Sequence, residues 1–259
     1  MHKIFTKLFL ICTCLVCALH AANAQDSTTV KQKKDGGKNL LKINLTAIPL
    51  NNYSFMYERK IGRKTSLAVG YRFMKEGGLP LKSNFKTLID DEELFDRLDQ
   101  FQTGNSAVTP EIRFYMGKGV FRGFYLAPFA RFSKYTAKLP FDFKYDHPTD
   151  GTKEATIPLE GDLKTITGGL QIGAQWKLSK LIYLDWWILG PQYGSSKGSI
   201  KGTMALTEEM QDALREELTD LEDLPLVEVK SEVNDNGAKV DFSGPWAGIR
   251  AGIALGIRF

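Results

Sequence analysis

The strict alternation of the last fourteen residues constrains this chain more than any other feature. Between residues 246 and 259 every second residue is apolar, from Ala247 to Phe259, and the residues between them are small or charged. A period of two places the apolar side chains on one face of a β-strand. A strand of this kind that ends in Arg-Phe is typical of bacterial outer-membrane barrels. The pattern therefore predicts a membrane barrel before any catalytic motif is considered.

The beginning of the chain predicts secretion. Lys3 and Lys7 flank the start of an apolar run over residues 8–19, and the small residues of Ala22-Asn23-Ala24 follow it. This is the pattern of a signal peptide over residues 1–24, cleaved after Ala24. The run is shorter than the roughly 20 apolar residues that a membrane-spanning helix needs.

All three cysteines, Cys12, Cys14 and Cys17, lie inside this predicted signal peptide. The mature chain is therefore expected to contain no disulfide and no cysteine metal ligand. A lipoprotein signal at Cys17 is an alternative, which Leu15 and Val16 disfavour because small residues are preferred there.

The rest of the chain reads as one barrel. Residues 25–38 are almost free of apolar side chains and predict a flexible periplasmic tail. Eight segments alternate between residues 39 and 259, and three polar insertions interrupt them at about 75–106, 146–160 and 201–237. The other connections are short, which is the loop asymmetry of outer-membrane barrels. The predicted fold is all-β: an eight-stranded antiparallel up-and-down transmembrane β-barrel with short helices in the extracellular loops.

Four prolines fit this barrel badly, because each removes a backbone donor from a strand ladder. Pro110, Pro128, Pro191 and Pro245 lie within or beside predicted strands. We expect bulges or frayed strand ends at these positions.

The alternation also predicts which polar residues face the barrel interior. An eight-stranded barrel is just wide enough for its own side chains to fill it. Buried charges must be paired, so we expect a salt-bridged plug, with a gated ion path or a small-ligand site as the alternative. The predicted inward residues are Lys42, Glu58, Arg72, Glu111, Arg113, Arg131, Gln171, Gln175, Asp185, Arg250 and Arg258.

The insertions are acidic although the chain carries a formal net charge of +4. Residues 201–237 have three basic and eleven acidic residues (3 − 11 = −8), and residues 75–106 have four and seven (4 − 7 = −3). Apolar residues at helical spacing, from Leu206 to Leu221 and from Leu94 to Phe101, predict a helix in each. The first helix has Thr207 as its expected N-cap. The helices could pack on each other as a lid, or dock a surface protein or glycan. The acidic residues could also hold divalent cations bridged to lipopolysaccharide, although no calcium-loop motif is present.

Two stretches of sequence resemble a known group of proteins. They are Asn39-Leu40-Leu41-Lys42-Ile43-Asn44-Leu45-Thr46 and Tyr57-Glu58-Arg59-Lys60-Ile61-Gly62, together with the glycine-rich ending over residues 253–259. They are similar to an uncharacterised family of small outer-membrane β-barrels, a domain of unknown function of Bacteroides-type bacteria, and more distantly to the OmpA and OmpX barrels. The resemblance implies a fold and an outer-membrane location, and it carries no catalytic residues.

An enzyme that modifies lipid A or phospholipid is the alternative function. His147 is the one histidine after residue 24, and Ser133 and Ser243 are hydroxyls without a distinguishing pattern. A loop histidine beside Pro148 is more often a solvated turn residue than a catalyst. Residues 190–194 (Gly-Pro-Gln-Tyr-Gly) lack the following helix of a phosphate loop. We therefore predict no catalytic, cofactor-binding or metal-binding residues.

A soluble eight-stranded carrier is the third possibility, because alternation alone does not say which face points inward. The signal peptide and the charged polar face favour the outer membrane of a Gram-negative bacterium. Outer-membrane lipids and lipopolysaccharide are the expected partners. Nucleic acid is not expected, since no basic patch is interleaved with aromatic residues. The predicted role is non-enzymatic: structural, adhesive or docking.

Overall fold

The computed structural model describes residues 37–80, 100–222 and 226–259. Eight long antiparallel strands close into a ring, so the predicted up-and-down barrel is confirmed. The ring strands are β1 (Asn39–Asn44), β2 (Asn52–Lys60), β3 (Thr65–Gly78), β4 (Gln102–Tyr115), β5 (Gly123–His147), β6 (Gly151–Lys177), β7 (Ile182–Thr203) and β9 (Gly237–Arg258). A 3-10 turn (Ile48–Leu50) follows β1, and a helix, α1 (Glu208–Glu222), and a strand, β8 (Glu228–Asn234), separate β7 from β9.

The ring closes between the first and the last strand. Leu40 to Asn44 pair with Arg258 to Ala254 in antiparallel register. Asn39 and Phe259 exchange both backbone hydrogen bonds, each at 3.0 Å. The alternating strand at the end of the chain is therefore the strand that completes the barrel.

Three short connections lie at one end of the barrel. Residues 61–64, 116–122 and 178–181 form this short-turn end. At the opposite end, the connections over residues 45–51 and 148–150 are also short, whereas β3 and β4, and β7 and β9, are separated by longer stretches of sequence. The predicted helix from Leu94 to Phe101 falls almost entirely outside the described residues, as do the predicted signal peptide and most of the tail.

The predicted insertion at about 146–160 differs from the structure. Strands β5 and β6 pair continuously from Gly123↔Gln175 to His147↔Gly151, so only residues 148–150 form a turn. Apolar residues are missing only from residues 146–154. On either side, Phe143 and Ile157 belong to alternating segments and pack with Leu206 and Leu214. The polar run therefore marked the tip of the hairpin, where the backbone still pairs, and not a long loop.

Residues 204–219 fold against the part of the β5–β6 hairpin that lies farthest from the short-turn end, which we call the upper hairpin. Leu206 and Leu214 are buried with Phe143 of β5 and Ile157 of β6, in a hydrophobic cluster that is separate from the barrel interior. Helix α1 packs on β5 and β8, and β8 pairs with the first half of β9. Within the described ranges, no helix has the length and apolar character needed to cross a membrane.

The prolines lie at irregular places in the sheet. Residue pairs between β4 and β5 are missing on both sides of Glu111↔Phe129, at Pro110 and opposite to it and at Pro128 and opposite to it. The register is the same on both sides, so the expected bulges are not found at these two prolines. Pro191 follows a register shift between Trp187 and Gly190, so the expectation of a bulge holds there. Because of this shift Leu189 takes the exposed position that the alternation predicts for Ile188.

Candidate functional site: the barrel interior and its surroundings

The outer surface of the barrel is apolar from the short-turn end to about half the height of its longest strands. Outward side chains there are large and exposed on every ring strand, for example Leu67, Ile112, Phe132, Trp186 and Ile257. The aromatic residues Tyr53, Tyr57, Phe73, Phe132, Trp176 and Phe259 are exposed on this surface. An apolar surface of this extent is unusual for a soluble monomer and marks a place where another phase or partner is contacted.

Three lysines stand in one row directly above the apolar surface. Lys134 of β5 pairs with Lys164 of β6, and Lys164 pairs with Lys197 of β7. All three side chains are exposed. Like charges at directly opposed positions of neighbouring strands repel each other. This lysine row therefore favours an anionic environment at the upper border of the apolar surface, and it joins residues that are far apart in sequence.

An ion network fills the middle of the barrel interior. Lys42 Nζ lies 2.6 Å from Glu58 Oε2 and 2.5 Å from Asp185 Oδ2. Arg113 lies 2.6 Å from Asp185 through Nη1 and 2.6 Å from Glu111 through Nε. Arg250 contacts the other oxygen of Glu111 at 3.2 Å. The network thus joins three cations and three carboxylates, and it is charge-balanced.

Hydroxyl groups complete the network. Tyr115 donates its hydroxyl to Glu58 Oε1 at 2.5 Å, and Ser66 donates to the same oxygen. Tyr125 donates to Asp185 Oδ1 at 2.8 Å. The Arg113 guanidinium also lies over the Tyr125 ring, 4.4 Å from its centroid. Every carboxylate of the network therefore has at least two donors, which is what buried carboxylates require.

The short-turn end is closed by aromatic side chains. The turn over residues 116–122 brings Phe121 into the interior, where it is fully buried against Tyr115 and Tyr183. Arg258 donates to the Tyr183 hydroxyl at 2.8 Å and lies over the Phe121 ring. The sequence pattern predicted only a short turn here. It predicted neither the burial of Phe121 nor its left-handed φ of +70°.

A basic cavity of about 290 Å³ lies above the ion network. Arg72, Arg131 and Arg250 line it, together with neutral side chains such as Asn52 and Gln192. Trp187 and Phe129 lie beside Arg250, with ring centroids 5.2 and 4.4 Å from its guanidinium carbon. Above the cavity, Tyr135 packs against Trp246.

All the predicted inward residues except Arg72 are buried, and Arg72 is partly buried. The structure brings Lys42, Glu58, Glu111, Arg113 and Asp185 into one network, as the alternation and the need for charge pairing predicted. The sequence did not predict which of these residues belong to the balanced network and which line the basic cavity. That depends on the strand registers, which set the level of each side chain along the barrel axis.

The residues considered for catalysis are not brought together. Ser133 and His147 lie on the same strand, fourteen residues apart, which corresponds to roughly 45 Å. Ser133 accepts a hydrogen bond from Arg131 at 3.2 Å, and Ser243 contacts Glu228. His147 is exposed in the turn, 3.5 Å from Asp150. Residues 190–194 form part of β7 just after its register shift.

Helix α1 presents an acidic face away from its apolar packing. Its N-terminus is capped as predicted: the Gln211 amide donates to the Thr207 carbonyl at 3.0 Å, and the Met210 amide lies 3.5 Å from Thr207 Oγ1. A hydrogen bond from Thr207 holds the pKa of Glu209 below its ordinary value. Glu208, Asp212, Glu216 and Glu217 are exposed. Among the described residues, no group of three or more histidine, cysteine or acidic side chains is arranged to hold a metal ion.

Comparisons with known proteins add little to this geometry. The N-terminal β-barrel domain of Pseudomonas aeruginosa OprF is similar over 87% of this chain and 100% of its own, with 7% identity and a TM-score of 0.25. The β domain of the Bordetella autotransporter BrkA is similar over 87% of this chain and 99% of its own, with 12% identity and a TM-score of 0.21. No protein-family model matches the chain. No curated protein matches it either. The assignment of the barrel fold therefore depends on the strand pairing observed in this chain.

Proposed function

We propose that this chain is an outer-membrane barrel of a Gram-negative bacterium with a closed interior and a non-enzymatic role at the cell surface. The observation that carries the proposal is the inverted distribution of side chains: ionic residues are inside, and large apolar residues are outside. A soluble carrier of apolar ligands would need the opposite arrangement. A barrel in lipid satisfies its backbone groups by pairing and exposes its apolar face to acyl chains.

The lysine row supports an orientation. In the proposed membrane, the apolar surface below the row spans the hydrocarbon, and the row meets the anionic groups of the outer headgroup layer. Strands β5, β6, β7 and β9 have 22 to 27 residues, whereas about 9–11 suffice to span a bilayer. Their upper halves would stand above the membrane. The specific family of small barrels that the sequence resembles stays a prediction.

The ion network supports a closed interior. Its side chains have no exposed surface apart from a small part of Arg250, and Phe121 is fully buried at the short-turn end. Eight strands leave room for such side chains and not for a water-filled channel. The activity of the protein would then be at its upper end, where α1 presents its acidic face for structural, adhesive or docking contacts.

Two measurements on the full chain test the membrane barrel. After cell fractionation, the protein should remain with the outer membrane through carbonate washing and be released only by detergent. In planar bilayers the folded chain should show no steady conductance, unlike a porin used as the positive control. Release of the mature chain into the soluble periplasm, or a stable open channel, would contradict the proposal.

A third measurement tests the surface role. Cells that carry Glu208→Gln, Asp212→Asn and Glu216→Gln together are compared with wild type and with a deletion strain for adhesion to host-cell matrix. We expect the triple variant to show the adhesion defect of the deletion strain at normal outer-membrane abundance. As the matched control, Glu154→Gln, Glu160→Gln and Glu232→Gln remove the same charge elsewhere on the upper sheet. Normal adhesion of the first triple variant would contradict a role for the α1 face.

A further inference from the structure

The basic cavity holds more positive charge than its own side chains balance. Arg131 and Arg250 are each more than nine-tenths buried, at 6% and 7% exposure. Arg250 has a carboxylate partner, Glu111, but Arg113 uses the other oxygen of that carboxylate. No aspartate or glutamate of the described residues lines the cavity. Of the three cavity arginines, only Arg250 therefore has a carboxylate partner, and it shares that partner with Arg113.

The other two arginines have only neutral partners among the described residues. Arg131 hydrogen-bonds the hydroxyls of Ser133 and Tyr135. Arg72 has no ion pair in the described ranges, and its Nε is a buried donor without a partner. Each arginine is close enough to the others to be affected by their charge. Burying cations without a counter-charge is costly, so the cavity is suited to an anion.

Among the described residues, the wall beside this cavity has a gap in its strand pairing. On the side of β9 that faces β1 and β8, β8 pairs only as far as Ser243, and β1 pairs only from Ala254. One further backbone bond joins Leu45 to Ile253. Between them, the described residues provide no strand partner for the edge over residues 245–252, and Pro245 has no N–H to pair. We call this stretch the seam.

The cavity reaches the outer surface at the seam. Residues 246–251 line it on one side, and Thr46, Ala47 and Leu50 of the first turn line it on the other. Leu50 and Ile249 are also exposed outward, at 45% and 71%. In lipid, an unpaired strand edge is unfavourable unless another group satisfies it. An oxyanion at the seam could accept hydrogen bonds from both the edge amides and the arginines.

We propose that the basic cavity binds the phosphate group of a membrane amphiphile that enters through the seam. The inference rests on the proposed membrane location. In the register, Ser243 continues the lysine row onto β9, so the seam lies just below the level at which anionic headgroups are expected. Acyl chains would stay on the apolar outer surface beside Leu45 and Ile249.

The chemistry of the cavity favours phosphate. Guanidinium groups donate two parallel hydrogen bonds to phosphate oxygens, and a phosphate has enough oxygens to engage several arginines. Asn52 and Gln192 provide further polar contacts in the lining. A water in the liquid occupies about 30 Å³, so a cavity of about 290 Å³ has room for a phosphate group and several waters.

The test uses the full mature chain folded in a mild detergent, with bound lipids counted by native mass spectrometry. Dipalmitoyl phosphatidic acid and dipalmitoylglycerol, which has the same acyl chains but no phosphate, are the two lipid probes, and inorganic phosphate is a separate arm. The site variant is Arg72→Gln with Arg131→Gln. The control variant is Lys177→Gln with Lys180→Gln, which removes the same charge from exposed positions at the short-turn end. Insertion of each variant is checked by protease protection in phosphatidylcholine vesicles.

We expect one phosphatidic acid to bind the wild type and the control variant at least about tenfold more tightly than dipalmitoylglycerol, and the site variant to lose this preference. Inorganic phosphate should compete only weakly. Equal binding of the two lipids, or an unchanged preference in the site variant, would overturn the inference. Phosphate that binds as tightly as the lipid would overturn entry through the seam. A chain that inserts without a phosphate preference refutes this inference alone, whereas a chain that does not insert refutes the proposed function as well.

Discussion

The ion network in the middle of the barrel interior and the basic cavity above it differ in how their buried charges are paired. In the ion network, Lys42, Arg113 and Arg250 meet three carboxylates. In the basic cavity, Arg72 and Arg131 meet only neutral groups of the described residues. The balanced region has the arrangement of a structural core. The unbalanced region retains buried positive charge without a counter-charge among the described residues, which favours the binding of an anion.

The largest loss of stability is expected from disrupting the ion network. Asp185→Asn removes the acceptor of Lys42 and Arg113 and leaves both cations short of a partner in a buried place. We expect the free energy of unfolding to fall by roughly 3–5 kcal/mol. Urea unfolding of the barrel in lipid vesicles, followed by tryptophan fluorescence, measures this loss. Asp150→Asn, which alters an exposed pair with Lys153, is the control and should leave the urea midpoint unchanged.

A steric change should have the next largest effect. A Cβ at Gly173 would lie 2.3 Å from the Tyr125 hydroxyl and 2.8 Å from the Trp186 carbonyl. Gly173→Ala should therefore displace Tyr125 from Asp185 and lower the free energy of unfolding by about 1–3 kcal/mol. The matched variant is Gly168→Ala, where the nearest atom is 4.0 Å away. Equal urea midpoints for the two variants would contradict this prediction, because they would show that the neighbouring strands accommodate a methyl group at Gly173.

Removal of an arginine from the basic cavity should not lower the free energy of unfolding in the way that disruption of the ion network does. Arg131→Met deletes a buried guanidinium that has no carboxylate partner among the described residues, so the free energy of unfolding should stay within about 1 kcal/mol of wild type or rise. Arg113→Met is its counterpart in the balanced region, and it should behave like Asp185→Asn. If Arg131→Met lowered the free energy of unfolding as much as Arg113→Met, the distinction between the ion network and the basic cavity would be wrong.

The smallest effect concerns the upper sheet, outside both regions. The hydrogen bond from Lys239 holds the pKa of Asp241 below its ordinary value of 3.8. The unfolded chain therefore binds a proton more readily, so this contribution is complete above about pH 4 and is lost as the pH falls through the folded pKa. Asp241→Asn should reduce the acid sensitivity of β8 and β9 slightly. Amide exchange of Val240 and Phe242 between pH 5 and pH 3 measures it, and identical acid sensitivity in both proteins would contradict it.

Much of the barrel could be predicted from the sequence because the alternation of side chains along a strand is local. The period of two alone places Leu41 and Tyr57 on the face opposite to Lys42 and Glu58. The predicted outer-membrane location then makes the first two exposed and the other two buried, as observed. The need to pair buried charges then predicted a network. The long continuation of β5 and β6 was missed because the polar run over residues 146–154 was interpreted as a loop, although its backbone continues the strand pairing.

Features that depend on strand partners lay beyond the sequence. The lysine row requires the registers of three strands, and the register shift at Trp187 reverses the faces of β7. Phe121 lies in a turn, where alternation says nothing about burial. The seam exists because β1 ends at Asn44 whereas β9 continues for many residues above that level.

The sequence by itself determined which side chains share a face, because that depends on backbone geometry within each strand. Which of the two faces points inward was decided by the structure, in which the charged face is buried and the apolar face is exposed. Only the tertiary structure decided which ionic residues meet, because strand registers set the height of each side chain in the barrel. For that reason Asp185 of β7 joins Lys42 of β1 in a balanced network, while Arg72 and Arg131 lie in a cavity that their own chain leaves without a counter-charge.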